Sequence, residues 1–137
     1  KDSTMIIYKF INTDKLLFLF GPRPVDGNIR RSTAEFSIKN WKCNEWHFIT
    51  CTWNRQNIKL YFDGELKDCK KIKDASLSPF DSFAVGVFAP ENWEKSGGKS
   101  LVDELKICKT AMTSEKIYAD WQADWLYCRK KKTLSGL

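Results

Sequence analysis

The residues best able to move a proton in this 137-residue sequence are its single histidine, His47, and the adjacent carboxylates Asp103 and Glu104. His47 lies inside Trp46-His-Phe-Ile-Thr-Cys-Thr-Trp53, a run dense in aromatic and β-branched residues that reads as a strand. In that setting it is a satisfied structural histidine rather than a base. Asp103 and Glu104 fall in Leu101-Val-Asp-Glu-Leu-Lys-Ile-Cys108, which also reads as a strand. Neighbours on a strand point to opposite faces, so the two cannot form one acid/base pair. Five cysteines occur, at 43, 51, 69, 108 and 128, and an odd number cannot pair completely within a chain. There is no C-x-x-C and one histidine, which disfavours structural zinc. Cys51 and Cys108 sit in apolar runs and behave there as small hydrophobes. Cys43, Cys69 and Cys128 have polar neighbours and can pair or stay free. The set is read as mostly reduced thiols, which suits a reducing compartment or a secreted protein that does not rely on disulfides. The sequence has no Asn-x-Ser/Thr glycosylation site.

Binding chemistry is better represented. Trp93 lies in Glu91-Asn92-Trp93-Glu94, within a polar loop from Ala89 to Ser100. An indole beside a carboxylate and an amide suits sugar recognition: the ring stacks on apolar sugar faces while the polar groups bond hydroxyls. The alternative is that Trp93 folds back over a sheet. Trp41 is a second candidate, and Trp46, Trp53, Trp121 and Trp125 are assigned to core and helix packing. Charge is a net +6, with Arg129-Lys-Lys-Lys132 as its densest run and Lys67, Lys70, Lys71 and Lys73 as another cluster. Such clusters can attract phosphate, sulfated sugar or anionic lipid; here they are read as a solvated tail and a soluble hairpin. No helix-turn-helix, RNA-binding motif or phosphate loop accompanies them, so specific nucleic-acid binding is not expected. The apolar runs Met5 to Tyr8 and Leu16 to Phe20 are far shorter than the roughly 18 residues of a membrane span.

The elements that must position these residues are mostly strands. Met5 to Ile11 and Leu16 to Phe20 flank a turn at Asn12-Thr-Asp-Lys15, and Gly21 to Asn28 reads as a loop. Thr33 to Lys39 alternates, with Ala34, Phe36 and Ile38 on one face. Trp46 to Trp53 turns through Asn54 to Asn57 into Ile58-Lys-Leu-Tyr-Phe62, and the spacing predicts that the two pair as a hairpin. Asp63-Gly64 then makes a tight turn into a strand starting at Glu65. Phe83 to Phe88 and Leu101 to Cys108 complete the strands. Thr113 caps a helix in which Ile117, Trp121, Trp125 and Cys128 form one apolar stripe, with the basic run at its negative C-terminal end. The pattern is all-β, a sandwich of two antiparallel sheets with a short C-terminal helix.

Five of these segments resemble, in order, the motifs of laminin-G-like domains. Trp46-His47 with Ile49, Cys51 and Trp53 is similar to their W-H-x-V-A-x-T-W strand, and Ile58 to Gly64 to V-x-L-Y-V-D-G. Val85-Gly86 resembles a strand ending in I-G, Leu101 to Ile107 resembles G-x-I-D-E-V-R-I, and Ala111 to Ile117 resembles A-L-S-x-E-E-I. Met112 stands for the usual Leu and Cys51 for a small aliphatic residue. The resemblance implies the jelly-roll sandwich of the concanavalin A-like lectin/glucanase fold, over residues 1–128, followed by a basic tail at 129–137. The family's opening strand, F-T-I-S-x-W-V-K, has no counterpart before Met5. An upstream segment of a parent polypeptide, a neighbouring copy or the residues beyond Cys128 are therefore expected at that sheet edge.

What the resemblance implies about function is binding. Glucanases of the fold carry a signature resembling Glu-x-Asp-x-x-Glu on one strand; none of the seven Glu residues here has Asp two places later. The expectation is a noncatalytic adhesion or carbohydrate-binding module of a larger protein, contacting a glycan or a protein surface outside the cell or on a cell or particle surface. The alternative is a structural or decoration module in a multidomain or viral-type assembly, without a small ligand. Relatives often bind through calcium, but Asp26, Asn28 and Asn54 make no clear calcium loop and read as turn formers, so no cofactor is assigned.

Overall fold

In the computed structural model, strands form where alternation places aromatic and aliphatic side chains on a common face. The structure describes residues 3–9, 13–22, 31–42, 44–73 and 101–134, with side chains described up to 126. Strands β1 (Ser3–Lys9), β2 (Lys15–Pro22) and β3 (Ser32–Ser37) make one antiparallel sheet in that order. Strands β4 (Ile49–Trp53), β5 (Asn57–Phe62) and β6 (Glu65–Lys71) make a second. The expected hairpin is the β4–β5 pair, with Ile49 opposite Phe62 and Trp53 opposite Ile58.

One core lies between the sheets. From the first come Leu16, Phe18, Phe20, Ala34 and Ile38; from the second come Ile58 and Leu60. Phe18 pairs with Ala34 across the ladder, a large side chain opposite a small one, and Phe20 tilts against Trp53 at 5.6 Å between ring centroids. Burying a Phe or Leu completely contributes about 1.5–3 kcal/mol each, so this cluster dominates the stability of the sandwich.

The strand edges are tied together by polar bonds. Ser32 Oγ donates to the Lys71 carbonyl (3.1 Å) and accepts the Lys73 amide (2.9 Å), while the Glu35 amide donates to Asp68 Oδ2 (2.9 Å). A bulge makes the last bond reachable. The ladder steps from Leu60–Asp68 to Tyr61–Leu66, leaving Lys67 as the extra residue of β6.

Helix α1 (Ser114–Leu134) begins at Thr113, whose Oγ1 accepts the Lys116 amide at 3.3 Å. The Glu115 carboxyl is held below its usual range by its own backbone amide and the Thr113 hydroxyl. Ile117 is fully buried and Tyr61 Oη shares a hydrogen bond with Ser114 Oγ at 3.0 Å, which docks the helix on β5. No described helix is long and apolar enough to cross a membrane.

Two expectations fail among the described residues. Residues 101–108 form no strand, and their apolar side chains face solvent, Leu101 at 83% and Ile107 at 62% exposure, with Cys108 exposed as well. Glu104 adopts φ 53°, a left-handed conformation through which a ladder cannot run, so Asp103 and Glu104 are not on opposite faces of a strand. The helical stripe is also shorter than its spacing suggests. Ile117 and Trp121 pack inward, Trp121 against Gly64, but Trp125 is 45% exposed. The segment Phe83 to Phe88 lies outside the described residues.

Candidate functional site

The site grows from the Asp63-Gly64 turn between β5 and β6. Both residues have positive φ, 49° and 79°, as a two-residue hairpin turn with the twist of its strands requires. Glycine is needed at 64 for a second reason: a Cβ there would lie 3.0 Å from the Trp121 ring and 3.1 Å from Tyr118. The helix therefore clamps one side of the turn.

Asp63 works on the other side. Its Oδ1 accepts the Phe48 amide at 2.9 Å and its own amide donates to the Phe48 carbonyl at 2.8 Å. Its Oδ2 lies 3.0 Å from His47 Nδ1. A carboxylate can only accept, so Nδ1 carries a proton in this hydrogen bond. That pins the imidazole. Trp41, placed by its amide bond to the Ile38 carbonyl (3.0 Å), stacks on His47 at 4.7 Å and on Phe62 at 5.3 Å. Phe36 continues the stack against Phe62 at 4.9 Å.

Two polar atoms in this stack have no hydrogen-bond partner among the described residues, and both are buried: Trp41 Nε1 and His47 Nε2. Glu45 Oε2 approaches His47 Nε2 only to 3.7 Å, too far for a hydrogen bond. An unpaired buried polar group costs about 1–3 kcal/mol. The stack thus encloses two polar atoms without partners, shielded from solvent, with His47 held by Asp63 and the half-exposed Glu45 nearby.

A profile for the concanavalin A-like lectin/glucanases superfamily, of the laminin-G type, matches residues 13–118. The chain belongs to that family. Its sandwich is thus the laminin-G-like jelly roll, and Trp46-His47 and Asp63-Gly64 are motif residues whose work in this laminin-G-like chain is now visible. Among solved structures, residues 221–444 of an S-layer domain-containing protein from Clostridium thermocellum align at TM-score 0.47 and 12% identity. The alignment covers 88% of this chain and 63% of that one, so the chain spans less than two thirds of its neighbour's length. No curated protein sequence matches.

Of the residues proposed from sequence, Trp41 is in the stack, and Glu91, Asn92 and Trp93 lie outside the described residues. Asn54 is a turn former, its Oδ1 accepting the amides of Gln56 and Asn57 at 2.8 Å each. Among the described residues no group of three or more acidic, Cys or His side chains could hold a metal. Trp46 is a correction. Assigned to the core, it is 52% exposed. Alternation carried no signal of this: Thr50 and Thr52, which share its parity, are buried, and Trp46 lies before β4 begins, where no ladder fixes the side it faces. His47, expected to be fully satisfied, is held through Nδ1 by Asp63 while its Nε2 has no partner among the described residues.

Proposed function

We propose that this chain is a noncatalytic adhesion or carbohydrate-binding module of a larger protein, occupying residues 1–128 with a basic 129–137 extension that stays helical through Leu134, and displayed outside the cell or on a cell or particle surface. The observation that carries the reading is the aromatic stack of Trp41, His47 and Phe62, whose Trp41 Nε1 and His47 Nε2 are shielded from solvent without partners, so that a ligand reaches them only where the cover of the stack moves aside. Exposed Trp46 adds an indole available for a sugar face, and Glu91, Asn92 and Trp93 remain proposed ligand contacts. The noncatalytic part is supported by Asp63, whose two oxygens are both engaged in holding His47 and Phe48.

Titration of a panel of neutral oligosaccharides, followed by tryptophan fluorescence and calorimetry, tests it. At least one should bind, and Trp41→Phe, which keeps a ring and removes the N–H, should weaken it by about tenfold, the worth of one net hydrogen bond. Absence of binding across the panel, or indifference to Trp41→Phe and Trp46→Ala alike, rejects the reading. Release of reducing sugar from a β-glucan would reject its noncatalytic part.

One observation favours the structural alternative. Strand β1 has β2 as its one neighbour among the described strands, and Ile6 and Ile7 are exposed beside that open edge. Size exclusion with light scattering, on this chain and on one extended upstream, separates the two. Association relieved by the extension favours an assembly role; a stable monomer of the short chain removes the argument.

A further inference from the structure

The opposite end of the β4–β5 hairpin carries a different chemistry. A groove of about 370 Å³ opens there, lined by Arg55, Gln56, Asn57, Lys71 and Ile72. Its frame is rigid. Asn54 Oδ1 accepts two turn amides, the Asn54 amide donates to the Asn57 carbonyl (3.0 Å), and the Ile72 amide donates to the Gln56 carbonyl (2.8 Å). Buried Ser32 fixes the far wall through the Lys71 carbonyl and the Lys73 amide.

The cations along this hairpin are not equivalent. On β6, Lys67 is paired with Glu65 and Lys70 with Asp68. Each acid lies two positions before its lysine in the sequence. Arg55, Lys71 and Lys73 have no carboxylate partner among the described residues. Local acids thus pair with the lysines away from the groove and leave Arg55 and Lys71, which line it, without a carboxylate partner among the described residues, with Lys73 two residues beyond. The side-chain amides of Gln56 and Asn57 add neutral donors on the same wall.

We propose that this groove binds a tetrahedral oxyanion, a sulfate or phosphate group, with Arg55 and Lys71 as its charged contacts. A guanidinium presents two parallel N–H donors to such a group, and a lysine adds a point charge. The groove is much larger than one oxyanion, so the group is either a free ion or an ester on a sugar-sized carrier. The site is separate from the Trp41–His47 pair: five residues of β4 put the two ends about 17 Å apart. The proposal stands whether or not neutral sugars bind.

Backbone amide shifts of the full chain decide it, measured at constant ionic strength with inorganic sulfate, inorganic phosphate, a sulfated disaccharide and its unsulfated counterpart. Saturable shifts confined to residues 54–57 and 71–73 are expected. Arg55→Gln and Lys71→Gln should each weaken binding about tenfold, as loss of one charge-assisted hydrogen bond implies, while Lys116→Gln, whose ammonium is paired with Asp120, should have no effect. Saturation by the free ions identifies a free-oxyanion site; saturation by the sulfated disaccharide alone identifies an ester site. Equal binding of the unsulfated disaccharide at these amides overturns the proposal. So do non-saturating shifts spread over all lysines and arginines, or affinity unchanged in both groove variants.

Discussion

Strand β5 and residues 101–107 carry nearly the same kind of sequence, and the fold treats them oppositely. Ile58, Leu60 and Phe62 alternate and are buried; Leu101, Val102, Leu105 and Ile107 are as apolar and all exposed. The difference lies in their neighbours. β5 is central, laddered to β4 on one side and β6 on the other, with a core beneath and α1 above Tyr61. The later segment has no ladder among the described residues, and Glu104 breaks its extended backbone. Alternation makes a strand possible; partners on both edges and a face to cover make it stable.

The largest effect should come from truncating the same residue type in both regions. Leu60→Ala, at a fully buried position, should cost about 2–5 kcal/mol in urea unfolding. Leu105→Ala should stay within about 0.5 kcal/mol. Equal losses would mean that residues 101–107 pack in solution, and the contrast would disappear.

A smaller effect sharpens how β5 is held. Gly64→Ala forces a Cβ into a left-handed turn and against Trp121, which should cost about 1–3 kcal/mol. It should also shift Trp121 emission to the red as the helix lifts. An unchanged melting temperature and spectrum would remove the clamp.

The smallest effect is alkaline. Burial pushes the Cys51 thiol on β4 up to about 12 from 9.0, whereas Cys108 in the exposed segment is open to reagents. Above pH 9 the unfolded chain releases a proton that native Cys51 keeps. The native state then binds more protons, and stability falls as pH rises toward 12. About 1 kcal/mol should be lost between pH 9 and 10 and regained as a flatter slope in Cys51→Ala. In the native protein Cys108 should be alkylated well before Cys51; equal rates would show that β4 opens as readily as the exposed segment.

Much of this protein follows from its sequence alone. The β4–β5 hairpin, the Asp63-Gly64 turn, the Thr113 cap and the core face of β3 are local decisions. Alternation, turn-forming residues and a capping hydroxyl act within a few residues of themselves, so their signals can be read without knowing the rest of the chain. Trp41 stands as a binding candidate from sequence, and alternation did not mark Trp46 as exposed, because Thr50 and Thr52 of the same parity are buried. The tertiary structure alone decided the rest: that His47 is pinned by Asp63 from sixteen residues away, that helix α1 closes on Gly64, and that, among the described residues, 101–107 stay unpaired and Arg55 and Lys71 line one groove without a carboxylate partner. Each depends on which distant segments become neighbours, and burial, hydrogen-bond partnership and charge compensation belong to pairs of residues that no single stretch of sequence contains.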